Sequence, residues 1–305
     1  MTGFLSGRHL ALLIAAAGFS IAATIPAAEA GERMDQIVSS KNMKLGYRSD
    51  APPFSMEKDG KAGGFSVELC VEIGKQMKNL LGLSDFSARL VAVDTTDRFD
   101  AIARGDADLL CGATTATLAR RDIVSFSIPT FSTGVGAVVS TSAPDLLKEV
   151  LITNSAAAFS AAATDEALKG KKFGVRAGTT AAEWLESGKV AQMTGKDIKE
   201  IKDHADGIKM VTDGKLDAYF ADSAILIGSI VQAGAQDDLI VSQKTFTNEP
   251  YAIALPKGDE ELRLAVDTAL SRIYRSGKIY EIIGRYFGKP SQQMAFFYSA
   301  VSLPE

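Results

Sequence analysis

The sequence predicts an α/β protein built as two lobes. Three features carry that reading. Strand and helix patterns alternate along the chain, one helix–strand unit recurs further on, and two extended apolar runs stand where the chain would pass between halves.

Composition sets the frame. The chain has 305 residues, 46% hydrophobic and 23% charged, enough to bury the core of one large or two medium domains. A formal charge of -4 argues against a nucleic-acid partner. Residues 1–30 read as a secretory leader. Arg8 and His9 precede the apolar run LALLIAAAGFSIAA, and Ala28-Glu29-Ala30 has the small-x-small form of a cleavage site. The mature chain is therefore expected to start at Gly31. A membrane anchor is the alternative, but the run is shorter than the roughly 18 apolar residues a span needs. No later segment is apolar enough to span, which argues against a channel or receptor. A secreted chain enters an oxidising space that permits a bridge between its two cysteines, Cys70 and Cys111. His9 would leave with the leader, making His204 the remaining histidine, so a multi-histidine metal site is excluded. No metal and no cofactor are expected.

The elements follow in order. KLGYR (Lys44 to Arg48) reads as a strand, and SDAPPFS after it cannot be helical because Pro52 and Pro53 fix the backbone. After the Gly63-Gly64 turn, Leu69, Cys70, Ile73, Met77, Leu80 and Leu81 recur at helical spacing. ARLVAV (Ala88 to Val93) is a strand. Asp94 or Thr95 is expected to cap a helix through Arg98, Phe99 and Ile102 to Gly105, and DADLLCG is the next strand. This alternation predicts a mostly parallel sheet. RFDAIARGDADLLCG (98–112) and IKMVTDGKLDAYFAD (208–222) repeat the unit, with Gly105 and Asp108 matching Gly214 and Asp217. VGAVVS (135–140) and EPYAIALP (249–256) read as the two crossings, and helices at 259–276 and 278–287 would return to the first lobe. The Ala/Ser-rich stretch 154–164 reads as a surface excursion, and the tail after Pro290 shows no periodicity. The expected organisation is a leader at 1–30, a first lobe at 31–137 and 249–288, a second at 138–248, and a tail at 289–305.

Two turns are suited to an anion. In CGATTATLARRD (111–122) a strand ends at Gly112 and Thr117 is placed to cap a short helix, while arginine can grip a carboxylate through two parallel bonds. A plain turn with surface arginines is the alternative. In KKFGVRAGTTAAEW the Thr179-Thr180 pair again meets a helix start. Asp222 ends the repeated strand, where it either faces the crevice and pairs with an ammonium group or caps the next helix.

On these residues the chain from Gly31 to about Gly288 resembles the periplasmic amino-acid-binding proteins that feed ABC importers. Gly64-Phe65-Ser66-Val67-Glu68-Leu69 is similar to a family signature, departing at Ser66, where an acid is usual. Thr115-Ala116-Thr117-Leu118-Ala119-Arg120 with Phe126-Ser127 resembles the family's binding loop. The resemblance implies a two-lobed fold with two hinge crossings and the ligand in the interlobe cleft. It implies that Arg120, six residues before Phe126, holds the ligand α-carboxylate with Thr115, leaving Arg121 on the surface. Ala113 stands where a serine is frequent, so any contact there falls to the backbone. Thr180, with Thr179 beside it, would meet the same carboxylate and Asp222 the α-ammonium. Gly46-Tyr47-Arg48-Ser49 with Pro53-Phe54-Ser55, Arg98 and His204 are similar to the glutamate/aspartate subgroup, in which two arginines and the histidine surround the side-chain carboxylate. In that subgroup cysteines placed like Cys70 and Cys111 are paired.

The resemblance thus implies a monomeric periplasmic receptor, not an enzyme, that closes on an L-amino acid, with glutamate or aspartate ahead of neutral polar ones, and delivers it to an inner-membrane ABC permease. The alternatives are a cyclohexadienyl dehydratase-like enzyme, for which His204 or Asp222 would supply acid–base chemistry, and a binding protein that serves a sensor.

Overall fold

The computed structural model describes residues 31–155, 160–187 and 198–305. The leader and its cleavage site lie outside the described residues, as does part of the Ala/Ser-rich stretch.

Two five-stranded sheets form the two lobes. The first runs β5(Ser87–Ala92)-β1(Asn42–Tyr47)-β6(Leu109–Leu110)-β13(Glu249–Leu255)-β7(Ser125–Thr133). The second runs β10(Ile198–Ile201)-β9(Phe173–Arg176)-β11(Ala218–Asp222)-β8(Val135–Ser140)-β12(Leu239–Val241). In each sheet two pairings are parallel and two antiparallel, the latter on either side of one strand, β13 or β8, which runs against the other four; the expected mostly parallel sheet thus carries one reversed strand. A small antiparallel sheet, β2(Asp50–Ala51), β3(Ser55–Lys58) and β4(Lys61–Gly63), follows β1.

The repeat is structural. Asp108 precedes β6 and accepts the backbone N–H of Lys44 at 2.7 Å; Asp217 precedes β11 and accepts that of Lys172 at 2.9 Å. Each aspartate ties the start of a strand to its parallel neighbour in the same way.

The apolar runs 135–140 and 249–255 are complete strands, each within one sheet. The chain passes between sheets at Gly134 and through residues 242–248. A continuous apolar run is common to buried strands and crossings alike, and so did not separate them. The expected cap at Asp94 or Thr95 is also displaced. The helix begins at Arg98, and Asp94 instead accepts the N–H and hydroxyl of Thr96.

The helices Phe65–Leu80, Glu260–Arg275 and Lys278–Phe287 pack together over the first sheet. Phe54, Phe65, Phe131, Tyr251 and Phe287 form an aromatic cluster with centroid distances of 4.9 to 6.3 Å. Gly64 must be glycine, because a Cβ there would lie 2.4 Å from the Phe54 carbonyl oxygen at φ 120°. Cys70 and Cys111 are disulfide-bonded, joining the Phe65–Leu80 helix to the end of β6. The tail is a docked helix, Gln292–Val301: Tyr298 is buried, donates to the Thr130 carbonyl at 2.9 Å and packs on Tyr274. One buried ring anchors it, which is too sparse a pattern to register as periodicity.

Candidate functional site

Between the lobes lies a cavity lined by all eight residues singled out from the sequence: Arg48, Arg98, Thr115 and Arg120 from the first lobe, Thr179, Thr180, His204 and Asp222 from the second. Ala113, Ala181, Ala221 and Ile225 complete its wall. The lobes are shut upon it, leaving about 20 Å³ for the centres of water-sized spheres. A cleft of about 740 Å³ by the same measure opens beside it, lined by Asp50, Asp94, Arg176 and Asp203 among others, but it lacks the cavity's converging buried arginines.

Arg120 is buried on a one-turn helix, Leu118–Arg121, capped by the Thr117 hydroxyl at 3.1 Å. Its Nη1 donates to the Thr115 carbonyl at 3.0 Å, and its guanidinium stands 5.4 Å from the Phe99 ring centre. Arg98 lies on the same ring at 4.4 Å. Its Nη1 donates to the Thr95 carbonyl, and its Nη2 reaches the Gly178 carbonyl of the other lobe at 3.2 Å. Arg121 is exposed. Burial lowers the pKa of Arg98 and Arg120, and for Arg98 the nearby guanidiniums of Arg48, Arg120 and Arg176 add to this. Three guanidiniums held this close in low dielectric demand anions.

Asp222 stands at the N-cap position just before the Ser223–Ala233 helix but makes no side-chain cap. Its Oδ2 accepts the Tyr251 phenol from the other lobe, while Oδ1 is buried without a partner. Burial raises its pKa to about 6, against the opposing Tyr251 hydrogen bond. His204 is buried at the start of the His204–Thr212 helix, with Nδ1 2.9 Å from the Tyr219 hydroxyl. A buried phenol needs an acceptor, so Tyr219 donates to Nδ1 and the proton sits on Nε2, which has no partner. Burial, and then the Arg48 charge, depress the His204 pKa to about 3; the ring is neutral at pH 7.

The second-lobe threonines are already engaged. Thr180 donates to Glu249 Oε2 at 2.9 Å and Thr179 to the Arg176 carbonyl at 2.8 Å. What this turn offers an anion is the start of the Thr180–Ser187 helix, at the N–H groups of Thr180 and Ala181, since that of Ala182 is capped by the Thr179 hydroxyl at 3.2 Å.

Sequence reasoning missed four supporting residues. Asp50 takes Arg48 on Oδ1, with Nε at 3.1 Å and Nη2 at 3.0 Å, the latter off the line of a hydrogen bond. Asp50 Oδ2 accepts Arg176 Nε from the second lobe at 2.9 Å. Tyr251 and Glu249 face the cavity residues from β13. The available signals were slight: Asp50 stands two residues after Arg48, and Arg176 ends the strand before the threonine turn. Among the described residues no cluster of three or more His, Cys, Asp or Glu could hold a metal ion, and no helix is long and apolar enough to cross a membrane.

Two matching α/β lobes shut over a charged cavity define a two-lobed binding protein. Residues 43–289 match the bacterial extracellular solute-binding proteins, family 3, and the chain belongs to that family. An L-glutamate/L-aspartate-binding protein of Pseudomonas aeruginosa is 27% identical over 272 residues, covering 88% of this chain and 84% of that one. A glutamate/aspartate import solute-binding protein of Salmonella typhimurium is 26% identical over 262 residues, covering 86% and 81%. A solved structure of an ancestral arginine-binding protein bound to arginine is 26% identical and superposes with a TM-score of 0.68, covering 81% of this chain and 99% of that one.

Proposed function

We propose that this protein binds one L-amino acid with an acidic side chain, glutamate or aspartate, outside the cytoplasmic membrane and delivers it to an ABC permease. Relatives named for glutamate and aspartate support the ligand class, yet a neighbour of the same fold holds arginine, so the decision rests on this chain's own charges.

The charge count carries the reading. Arg48, Arg98 and Arg120 face the cavity against Asp222 and the Asp50 behind Arg48. Three guanidiniums against two carboxylates leave one positive charge. Arg176, the second guanidinium on Asp50, and Glu249, which accepts the Thr180 hydroxyl, add one charge of each sign further out. Glu183, 3.9 Å from Arg120, is 69% exposed and screened by solvent. An acidic amino acid, with two carboxylates and one ammonium, brings the matching negative charge. A neutral one leaves a buried cation uncompensated, and arginine adds a second. Arg120 and Thr115 then take the α-carboxylate, with the Thr179–Ala181 turn closing on it. Asp222 Oδ1 takes the ammonium; Arg48, Arg98 and His204 Nε2–H take the side-chain carboxylate.

In this reading the first lobe is residues 31–133 with 249–305, the second lobe is residues 135–241, and the hinge is Gly134 with 242–248. The protein works as a monomer after loss of its leader. Titration calorimetry with L-glutamate, L-aspartate, L-glutamine and L-arginine tests the proposal: heat with the first two and none with arginine is expected, and binding of glutamine or arginine in preference would refute the acidic ligand. The enzyme alternative rests on Asp222, whose pKa of about 6 suits acid–base work. Phenylpyruvate formation from prephenate would reveal it.

A further inference from the structure

We propose that Arg176 selects for acidic ligands at the closing step, by sharing Asp50 with Arg48 only when the lobes are shut. The inference rests on the reading of Arg48 as a ligand for the side-chain carboxylate.

Arg48 and Asp50 are paired two residues apart within one lobe, so a parting of the lobes does not by itself separate them. Arg176 ends β9 in the other lobe. Its Nε meets Asp50 Oδ2 at 2.9 Å, and its Nη2 donates to the Thr95 hydroxyl at 3.0 Å. The three side chains have relative exposures of 5%, 16% and 7% for Arg48, Asp50 and Arg176, so solvent screens them little. When the lobes part, Arg176 leaves with β9 and the whole charge of Asp50 falls on Arg48. When they close, Asp50 is divided between two guanidiniums, and Arg48 regains positive potential toward the cavity.

Closure therefore delivers one buried charge of each sign from the second lobe, Asp222 beside Tyr251 and Arg176 beside Asp50, while Glu183, which comes to 3.9 Å from Arg120, stays 69% exposed and screened. A zwitterionic ligand meets Asp222 but leaves the cation beside Arg48 unbalanced. A ligand with a second carboxylate balances it, so the acidic side chain itself favours the shut form. Selection then depends on a residue outside the cavity wall.

The test is calorimetric titration of L-glutamate and of L-glutamine into the wild type, Arg176→Gln, Arg176→Lys and the double variant Asp50→Asn/Arg176→Gln, with a thermal melt of each to establish folding. Arg176→Gln should weaken L-glutamate about tenfold or more while moving L-glutamine less than about threefold. Arg176→Lys, which keeps the charge, should stay near the wild type. The double variant should recover most of the loss, because the carboxylate that quenches Arg48 is gone as well. Equal losses for both ligands in Arg176→Gln, or a double variant as weak as the single, would overturn the inference while leaving the acidic-ligand reading intact. A wild type that takes L-glutamine and not L-glutamate would overturn that reading, and this inference with it.

Discussion

Tyr251, on β13 of the first lobe, donates its phenol proton to Asp222 at the end of β11 in the second. This bond crosses the lobe boundary and leaves Asp222 Oδ1 buried and free. The pKa of Asp222, about 6, lies above the ordinary carboxylate value of 3.8 because of burial. Between those pH values the folded chain holds a proton that the unfolded chain has lost. Its contribution to stability is thus present below pH 3.8 and is lost as pH rises through 6, on the order of 2–3 kcal/mol in all. Asp222→Asn should abolish amino-acid binding by calorimetry and yet raise the melting temperature of the ligand-free protein at pH 7 by about 5 °C. A variant that melts lower and still binds would contradict the role given to this carboxylate.

His204 has the opposite sign. Its pKa of about 3, against an ordinary 6.5, means the unfolded chain takes up a proton that the folded chain refuses. That stability is present above pH 6.5 and is lost as pH falls toward 3. Between about pH 4 and 6 the two groups largely offset one another. Removing Asp222 unmasks the histidine, so Asp222→Asn should lose stability on acidification from pH 6.5 to 4 more steeply than the wild type. Melts across that range read the slopes directly; parallel curves would show that the two groups are not coupled to folding as described.

How much of this could be read from the sequence differs by level. Arg120 was separable from its neighbour Arg121 because the binding loop has a fixed distance to Phe126, and one turn of helix with a Thr117 cap turns one arginine inward and the next outward. The lobes were readable because the Gly105–Asp108 and Gly214–Asp217 turns repeat a local hydrogen-bonding need. Asp50, Arg176 and Tyr251 were not, since each matters through a partner on the other lobe, and pairing across a cleft leaves no periodic trace. The bond from the Thr180 hydroxyl was not readable for the same reason: Glu249, which accepts its proton, lies 69 residues away.

Arg120 and Arg48 should divide the ligand between them. Arg120 is proposed to hold the α-carboxylate common to all amino acids, and Arg48 the side-chain carboxylate. Arg120→Ala should therefore weaken every amino acid by about 3 kcal/mol or more, roughly a hundredfold. Arg48→Ala should weaken L-glutamate and L-aspartate by a similar factor while sparing L-glutamine. It also strands Asp50 with Arg176, so a melt should accompany the titration. If both variants lost all ligands equally, the assignment would be wrong.

Gly228 reports on closure without touching the cavity. It lies mid-helix in Ser223–Ala233 of the second lobe, where a Cβ would stand 2.6 Å from the Pro52 carbonyl oxygen and the same from Pro53 Cδ of the first lobe. No real Cβ tolerates that approach to a backbone oxygen, so the shut lobes leave no room for a side chain at 228. In an open protein the constraint vanishes, and alanine is the better helix former by about 0.5–1 kcal/mol. Gly228→Ala should consequently have two effects of opposite sign. The ligand-free protein should be slightly more stable, and the affinity for L-glutamate should fall, with faster dissociation, because the closed form must now spread by several tenths of an ångström or more at this contact. Gly228→Val should deepen the loss of affinity. Paired melts and stopped-flow dissociation separate the two effects. A substitution that left dissociation unchanged would mean that the ligand is held without the Ser223–Ala233 helix meeting Pro52 and Pro53.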